Sequence, residues 1–141
     1  MITAIIFDMD GVIIDSEQAH MDAFSVVLGE LGIKFGEEEM KKYFGVGAYN
    51  VVKDALAKNK IIGKDIESIV RKKDELYRRM FPDMVKPVNG IIGFIKRMKC
   101  FRLCIASSTS RDNLIYVLKK LDIVNYFEFY LAREDVKNTK P

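Results

Sequence analysis

The chain has 141 residues, of which 49% are hydrophobic and 30% are charged, and its formal net charge is +3. This composition is typical of a soluble globular protein and excludes a disordered chain, and the lack of an apolar run of about 20 residues argues against a membrane span. The 23 basic and 20 acidic side chains balance too closely to indicate nucleic-acid binding. Two cysteines, Cys100 and Cys104, are too few for a disulfide framework, so we expect a reduced, cytoplasmic setting.

The chain begins with a short apolar run, ITAIIF at residues 2–7. Such a run predicts a strand that is buried on both faces of a parallel sheet. The run ends at the acids and the glycine of DMDG, residues 8–11. Because ligands of open α/β sheets bind at the carboxyl ends of strands, we expect the chemistry of this protein at that point.

A series of helices is predicted next. Ser16 is a candidate N-cap for a helix that runs to Gly32, since serine accepts hydrogen bonds from amides at a helix start. Two shorter helices are predicted over 37–44 and 49–59, with Gly45 and Gly47 in the turn between them. The clearest helix follows Asp65 and ends before Pro82, because its apolar residues recur at spacings of three and four.

After Pro87 the alternation of helices and strands resumes. Helices are predicted over 90–99 and 113–121, and strands over 102–106 and 127–131. Only helices are predicted between the first strand and the later strands. This arrangement indicates an α/β core with an all-helical insertion. We therefore expect a three-stranded core made of residues 1–15 and 88–141, with the helical insertion at residues 16–87.

Asp8 and Asp10 are the first candidates for catalysis. If the chain turns at Gly11, both carboxylates can face one cavity, and their repulsion then requires a cation between them or a proton on one of them. Oxygen ligands favour Mg²⁺, which also coordinates substrate phosphate. One aspartate could attack phosphorus while the other exchanges protons with the leaving oxygen and with water. If two aspartates at this spacing are considered alone, the alternative is that they only form a turn that ends the strand and have no catalytic role.

The run DMDGVIIDSE, residues 8–17, resembles motif one of the haloacid dehalogenase superfamily, in which DxDG precedes an apolar pair and DSE or DTE. The resemblance implies a Rossmann-like parallel sheet and a phosphatase that acts on a small phosphorylated metabolite through an aspartyl-phosphate. It implies that Asp8 is the nucleophile and Asp10 the acid/base. It also implies Mg²⁺ as cofactor, bound by Asp8 and Asp10, the second through its backbone carbonyl.

Two further motifs of that family have counterparts here. RLCIASS ends at Ser107 and Ser108, where the family binds the transferring phosphoryl group; hydroxyls and amides at such a turn form an anion site without net charge. AREDVKNTKP ends in the KP of motif three and assigns Lys140, which would offset the charge of the phosphate. Without the resemblance, a serine-rich turn and this lysine would both be ordinary surface features.

The insertion resembles the small helical cap of the β-phosphoglucomutase and phosphoglycolate phosphatase branch, which closes over the site and selects the substrate. Cap residues that could reach the site are His20, Gly45 and Lys73, although for His20 an ordinary helix-surface position is the alternative. Mutases of this branch carry an arginine shortly after the loop glycines. Ala48 and Tyr49 stand there instead, which weakens a sugar-phosphate mutase as the alternative function.

The family's fourth motif, an acidic pair after a fourth strand, has no counterpart in the 141 residues. Three explanations stay open: a fragment of a longer protein, a premature stop, or a half that pairs with another polypeptide. In each case the first strand would be an open apolar edge, which favours self-association or a C-terminal partner. A non-catalytic remnant that serves as a binding or scaffold module is therefore a further alternative for this chain.

Overall fold

The structure is a computed structural model that describes residues 2–80 and 82–137. Its architecture is α/β, as predicted, and no helix of the described part is long and apolar enough to cross a membrane. The strands are β1 (Ala4–Phe7), β2 (Ile14–Asp15), β3 (Lys86–Pro87), β4 (Arg102–Ala106) and β5 (Phe129–Leu131). The helices are α1 (Glu17–Gly29), α2 (Glu37–Met40), α3 (Ala48–Lys58), α4 (Ile66–Met80), α5 (Ile91–Arg97) and α6 (Arg111–Lys120).

The main sheet has three parallel strands in the order β1-β4-β5. Phe7 lies opposite Ile105 and Ile5 lies opposite Leu103, and these side chains pack into one hydrophobic cluster with α5 and α6. Parallel strands need crossovers, and here the insertion with α5 connects β1 to β4, while α6 connects β4 to β5. The carboxyl ends of all three strands therefore lie at the same edge of the sheet.

The opposite face of this sheet carries large apolar side chains that the described residues leave uncovered. Ile6, Phe129 and Leu131 are 67%, 48% and 40% exposed. Within the described ranges β1 pairs with β4 alone, so it forms an edge of the sheet. A bare apolar face that ends in an open edge is typical of an interaction surface.

The helical insertion has its own hydrophobic cluster, to which α1, α2, α3 and α4 contribute Phe24, Met40, Val52 and Val70. The cluster under the sheet also includes Ala19 and Ala23 of α1 and Tyr77 of α4. Helices α1 and α4 therefore pack both inside the insertion and against the sheet. We call residues 16–87 the cap and the rest the core; this division stays a prediction.

Sequence analysis missed the short antiparallel ladder of β2 and β3, in which Ile14 lies opposite Pro87 and Asp15 opposite Lys86. The assignment of Lys86 and Pro87 to an all-helical insertion was therefore wrong. Two-residue strands show no hydrophobic period, and a proline argues against a strand because it lacks an amide donor. The ladder joins the two chain connections between core and cap.

The exposed face predicts self-association of the 141-residue chain. Replacing Ile6 by Lys puts a charge beside the open edge of β1 and should lower the apparent mass at a given concentration, because charges on an edge strand oppose pairing. Light scattering across a concentration series measures this. Ile62→Lys, at a site that is 90% exposed outside the sheet, is the matched control. Equal masses for both variants and the unmodified chain would contradict an interface on this face.

Candidate active site

A tight turn after β1 places Asp8 and Asp10 on the same side of the chain. Met9 between them is fully buried, because successive side chains of an extended segment point in opposite directions. The carbonyl oxygen of Met9 accepts a hydrogen bond from the amide of Ile14 at 3.1 Å, and Gly11 turns the chain with a φ of 75°. Both aspartates line a cavity of about 320 Å³ between the core and the cap.

Asp10 is held by three hydrogen-bond donors. Its Oδ1 accepts from Ser16 Oγ at 2.6 Å and from His20 Nε2 at 3.2 Å, and its Oδ2 accepts from Thr109 Oγ1 at 2.7 Å. Burial alone would favour the neutral acid, but the donors from His20, Ser16 and Thr109 together hold the pKa of Asp10 well below its usual value. Asp10 therefore rests as a carboxylate.

Ser16 was predicted as the N-cap of α1, and its backbone fills that position, since its carbonyl oxygen accepts the amide of His20 at 3.0 Å. Its side chain makes no capping hydrogen bond. The hydroxyl is instead directed to Asp10, because a charged acceptor makes a stronger bond than a neutral one. The side chain of Ser16, which was expected to cap the helix, thus binds the carboxylate of Asp10 instead.

His20 links Asp10 to Lys73. The Nδ1 of His20 lies 2.8 Å from the Nζ of Lys73, whose side chain is almost completely buried. A lysine ammonium can only donate, so Nδ1 accepts and Nε2 carries the hydrogen that is donated to Asp10. Burial and the nearby charge of Lys73 lower the pKa of His20, which favours this neutral form. The imidazole also stacks on the ring of Tyr77 at 4.5 Å between centroids.

Lys73 forms a buried ion pair with its neighbour Asp74, at 3.3 Å from Nζ to Oδ1. Burial lowers the pKa of Lys73, while the negative charge of Asp74 acts in the opposite direction. The ammonium also lies 4.9 Å from the ring centre of Phe24. His20 and Lys73, the cap residues predicted to reach the site, both line the cavity, and neither is an ordinary surface side chain.

The turn between β4 and α6 forms the core side of the cavity through Ser108, Thr109 and Ser110. Ser107 does not line the cavity; it is buried, and its hydroxyl accepts a hydrogen bond from the amide of Thr109 at 3.1 Å. The expectation that the Ser107 hydroxyl opens into the cavity is thus corrected, because the turn folds back over it. Ser108, the other predicted phosphate-binding residue, lies in the wall.

The start of α6 adds features suited to an anion. Ser110 immediately precedes this helix of ten residues, whose first amides lack partners inside the helix. The buried hydroxyl of Ser110 has no hydrogen-bond partner among the described residues. The first of the helix amides, that of Arg111, donates to Glu134 Oε2 at 2.9 Å, so the hydroxyls of Ser108 and Ser110 are the donors that this wall offers to an anion.

A loop between α2 and α3 closes the cavity from the cap. Gly45, predicted to reach the site, lies in this wall between Phe44 and Val46, with a φ of 75° that favours glycine. Tyr43 lines the wall with its ring, while its hydroxyl bonds to Asp54. The cap side of the cavity is thus mainly apolar.

The structure brings most of the predicted site residues to one cavity: Asp8, Asp10, His20, Gly45, Lys73 and Ser108. Lys140 lies outside the described residues. Thr109, Ser110, Asp74 and Arg133 also line the cavity, and sequence analysis missed them. A signal existed for Asp74, because positions 70, 73, 74 and 77 share one face of a helix, and Val70 and Tyr77 mark that face as buried. For Arg133, which begins the short 3-10 helix Arg133–Asp135 after β5, the sequence contained no such signal.

The residues fit a hard divalent cation only in part. Both carboxylate oxygens of Asp10 accept hydrogen bonds, so the Asp8 carboxylate and the Asp10 carbonyl are the oxygens that this turn offers. Among the described residues, no group of three or more His, Cys, Asp or Glu could hold a metal ion. Because Mg²⁺ keeps several waters and takes oxygens from phosphate, two protein oxygens suit it without completing its shell.

The profile of the haloacid dehalogenase-like hydrolase family matches residues 5–141. The chain belongs to this family. It is 29% identical over 144 residues to the phosphorylated carbohydrates phosphatase of Thermotoga maritima, and the alignment covers 98% of this chain and 64% of that enzyme. It is 30% identical over 139 residues to the fructose-1-phosphate phosphatase of Escherichia coli, covering 97% of this chain and 72% of the relative.

Solved structures of this fold agree. CbbY from Rhodobacter sphaeroides, in complex with phosphate, superposes with a TM-score of 0.84 at 24% identity, over 100% of this chain and 68% of that chain. The haloacid dehalogenase-like fold inferred from DMDGVIIDSE is therefore confirmed. The chain spans about two thirds of the length of the relatives that it matches.

Removing one donor from Asp10 should cost stability wherever Asp10 is ionised in the folded protein. Thr109→Val keeps the shape and deletes the hydroxyl, and we expect a loss of about 1 kcal/mol at neutral pH, at the low end for a bond to a charged group because Asp10 is partly exposed. The lowered pKa of Asp10 contributes stability that is fully present above the ordinary value of 3.8 and is completely lost only when the pH falls through the lowered pKa of the folded protein.

Urea unfolding near neutral pH and near pH 3 measures the effect, with Thr109→Ser as the control that keeps the hydroxyl. The difference in unfolding free energy between Thr109→Val and the unmodified protein should persist near pH 3, because the lowered pKa keeps Asp10 ionised in the folded protein at both pH values. A difference that disappears near pH 3 would mean that Asp10 is protonated there in the folded protein. A loss of the same size in Thr109→Ser would mean that packing, not the bond to the carboxylate, explains it.

Proposed function

We propose that the natural polypeptide is a Mg²⁺-dependent phosphatase of a small phosphorylated metabolite, with Asp8 as the nucleophile and Asp10 as the acid/base. The observation that carries this proposal is that Asp8, Asp10 and the hydroxyl-rich turn before α6 line one cavity. The names of the two relatives, both phosphatases of phosphorylated sugars, support the same substrate class.

In the first step, the carboxylate of Asp8 attacks phosphorus and the bond from phosphorus to the leaving oxygen breaks, which gives an aspartyl-phosphate and an alcohol. In the second step, water attacks the same phosphorus and releases inorganic phosphate and the free carboxylate. The amide of Met9 donates to Asp8 Oδ1 at 2.7 Å and so helps to orient the nucleophile. Mg²⁺, when bound, would offset the negative charge of the phosphate and of Asp8.

Asp10 supplies a proton to the leaving oxygen and then takes one from water. Its three donors hold it as a carboxylate, which is the form required for the second step. For the first step it must take up a proton, and the acidic hydroxyl of a phosphate monoester monoanion is one source. The three donors thus favour the unprotonated form of Asp10, which is the form that acts as a base.

The phosphate is assigned to the hydroxyls of Ser108 and Ser110 in the wall, with Ser107 and Thr109 holding the turn in place. Lys140 is proposed as the cation that offsets the transferring group. On the cap side, Phe24, Met40 and Tyr43 offer an apolar surface that suits a compact organic leaving group. Ala48 and Tyr49 stand where mutases of this branch carry an arginine, so transfer to water has better support than transfer between two phosphorylated sugars, the mutase alternative.

Replacing Asp8 by Asn keeps the shape but removes the nucleophilic charge, so phosphate release should fall to near background. Asp10→Asn should slow turnover by roughly 10²–10⁴-fold, because it removes proton transfer. The measurement is inorganic phosphate released by the natural full-length polypeptide from a panel of sugar monophosphates in the presence of Mg²⁺. Asp22→Asn is the control, since Asp22 bonds to Gln18 on an exposed part of α1.

Full activity in the Asp8→Asn variant would rule out covalent catalysis at this residue. No phosphate release by the unmodified full-length protein from any ester would favour the non-catalytic binding or scaffold module instead.

A further inference from the structure

A buried carboxylate at the boundary of cap and core has no part in the proposed chemistry. Asp74 of α4 is 5% exposed, and three groups contact it. Asn113 Nδ2 of α6 donates to Oδ1 at 3.1 Å, Arg133 Nη1 donates to Oδ2 at 3.4 Å, and Lys73 Nζ lies 3.3 Å from Oδ1. Two of the three partners belong to the core, so the burial of Asp74 depends on how the cap sits against it.

The same core asparagine is contacted twice from α4. Arg78, one helical turn after Asp74, donates to Asn113 Oδ1 at 2.7 Å, while the amide nitrogen of Asn113 donates to Asp74. Both polar atoms of this buried side chain are therefore used by the cap. An isolated buried charge is costly, so an Asp74 that lost these partners would have to move toward water.

Asp74 is joined to Asp10 by two routes. On the cap side, Asp74 contacts Lys73, which contacts His20, which donates to Asp10. On the core side, the backbone amide of Arg133 donates to the carbonyl oxygen of Thr109 at 2.9 Å, and the hydroxyl of Thr109 donates to Asp10. Two of the three residues that donate to Asp10, His20 and Thr109, thus contact residues that also contact Asp74.

We propose that Asp74 is a positioning residue that latches the cap onto the core through Asn113 and Arg133 and so completes the donor set of Asp10 only when the cap is closed. The inference rests on the proposed function, because it concerns the residue assigned as the acid/base.

The test uses the natural full-length polypeptide and the variants Asp74→Asn, Arg133→Met and the double variant, each shown by circular dichroism to be folded at the assay temperature. Glu75→Gln is the matched control, since Glu75 is the exposed neighbour on the same helix. We expect Asp74→Asn to lower kcat between about 10-fold and 10²-fold with a smaller change in KM, because misplacing a catalytic group is costly while the phosphate-binding turn is untouched.

Because each single variant breaks the same latch, the loss of kcat in the double variant should be little larger than the loss in the more damaged single variant. Independent, multiplying losses would overturn the proposal, and so would an Asp74→Asn variant that behaves like Glu75→Gln. Arg133→Met keeps the test decisive if Asp74→Asn does not fold, since Arg133 is only partly buried.

A distance measurement separates the latch from simple destabilisation and from a failure of the proposed function. Spin labels on the exposed Cys100 of the core and on Lys64→Cys in the cap report the spacing between the two parts. The distance distribution should broaden or lengthen in Asp74→Asn and stay unchanged in Glu75→Gln. An unchanged distribution in the folded Asp74→Asn protein overturns the latch even if phosphate is released. A broadened one supports it even if no ester is hydrolysed.

Discussion

The three hydrogen bonds to the carboxylate of Asp10 are the constraint on which the rest of the site depends. They converge from the turn before α1, from α1 itself and from the turn after β4. A partly buried carboxylate is stabilised where such donors meet, so these bonds favour an arrangement in which the three segments lie together. The same bonds connect the cap to the core at the wall of the cavity.

Much of the site follows from strand geometry, and that part was predictable. A parallel sheet puts the carboxyl ends of β1 and β4 at one edge, and the alternation of side chains puts Asp8 and Asp10 on the same side of Met9. The apolar runs predict those strands, and the motif after β1 predicts the chemistry. The helical character of residues 17–80 followed equally from spacing and from glycine positions.

What escaped prediction was decided by tertiary contacts that leave no local pattern. Ser107 and Ser108 have the same chemistry, and only the fold of the turn decides which one lies in the wall. Asp74 lies on the helix face that Val70 and Tyr77 mark as buried, but no local pattern indicates its partners Asn113 and Arg133. The ladder of β2 and β3 is too short for periodicity and depends on two segments more than 70 residues apart meeting side by side.

That ladder makes the cap an exchangeable module. Residues 15 and 86 are paired across neighbouring strands, so the whole insertion enters and leaves the core through one gap about 5 Å wide. A cap of this size and a short hairpin would bridge the same gap in the core. The entropic cost of closing a loop rises only slowly with the length of the loop. A different folded segment with ends at this spacing could replace the cap without moving β1 or β4, but it would have to supply donors to Asp10 in place of Ser16 and His20. A new cap surface over the cavity and a new pair of donors for this carboxylate would therefore have to arise together.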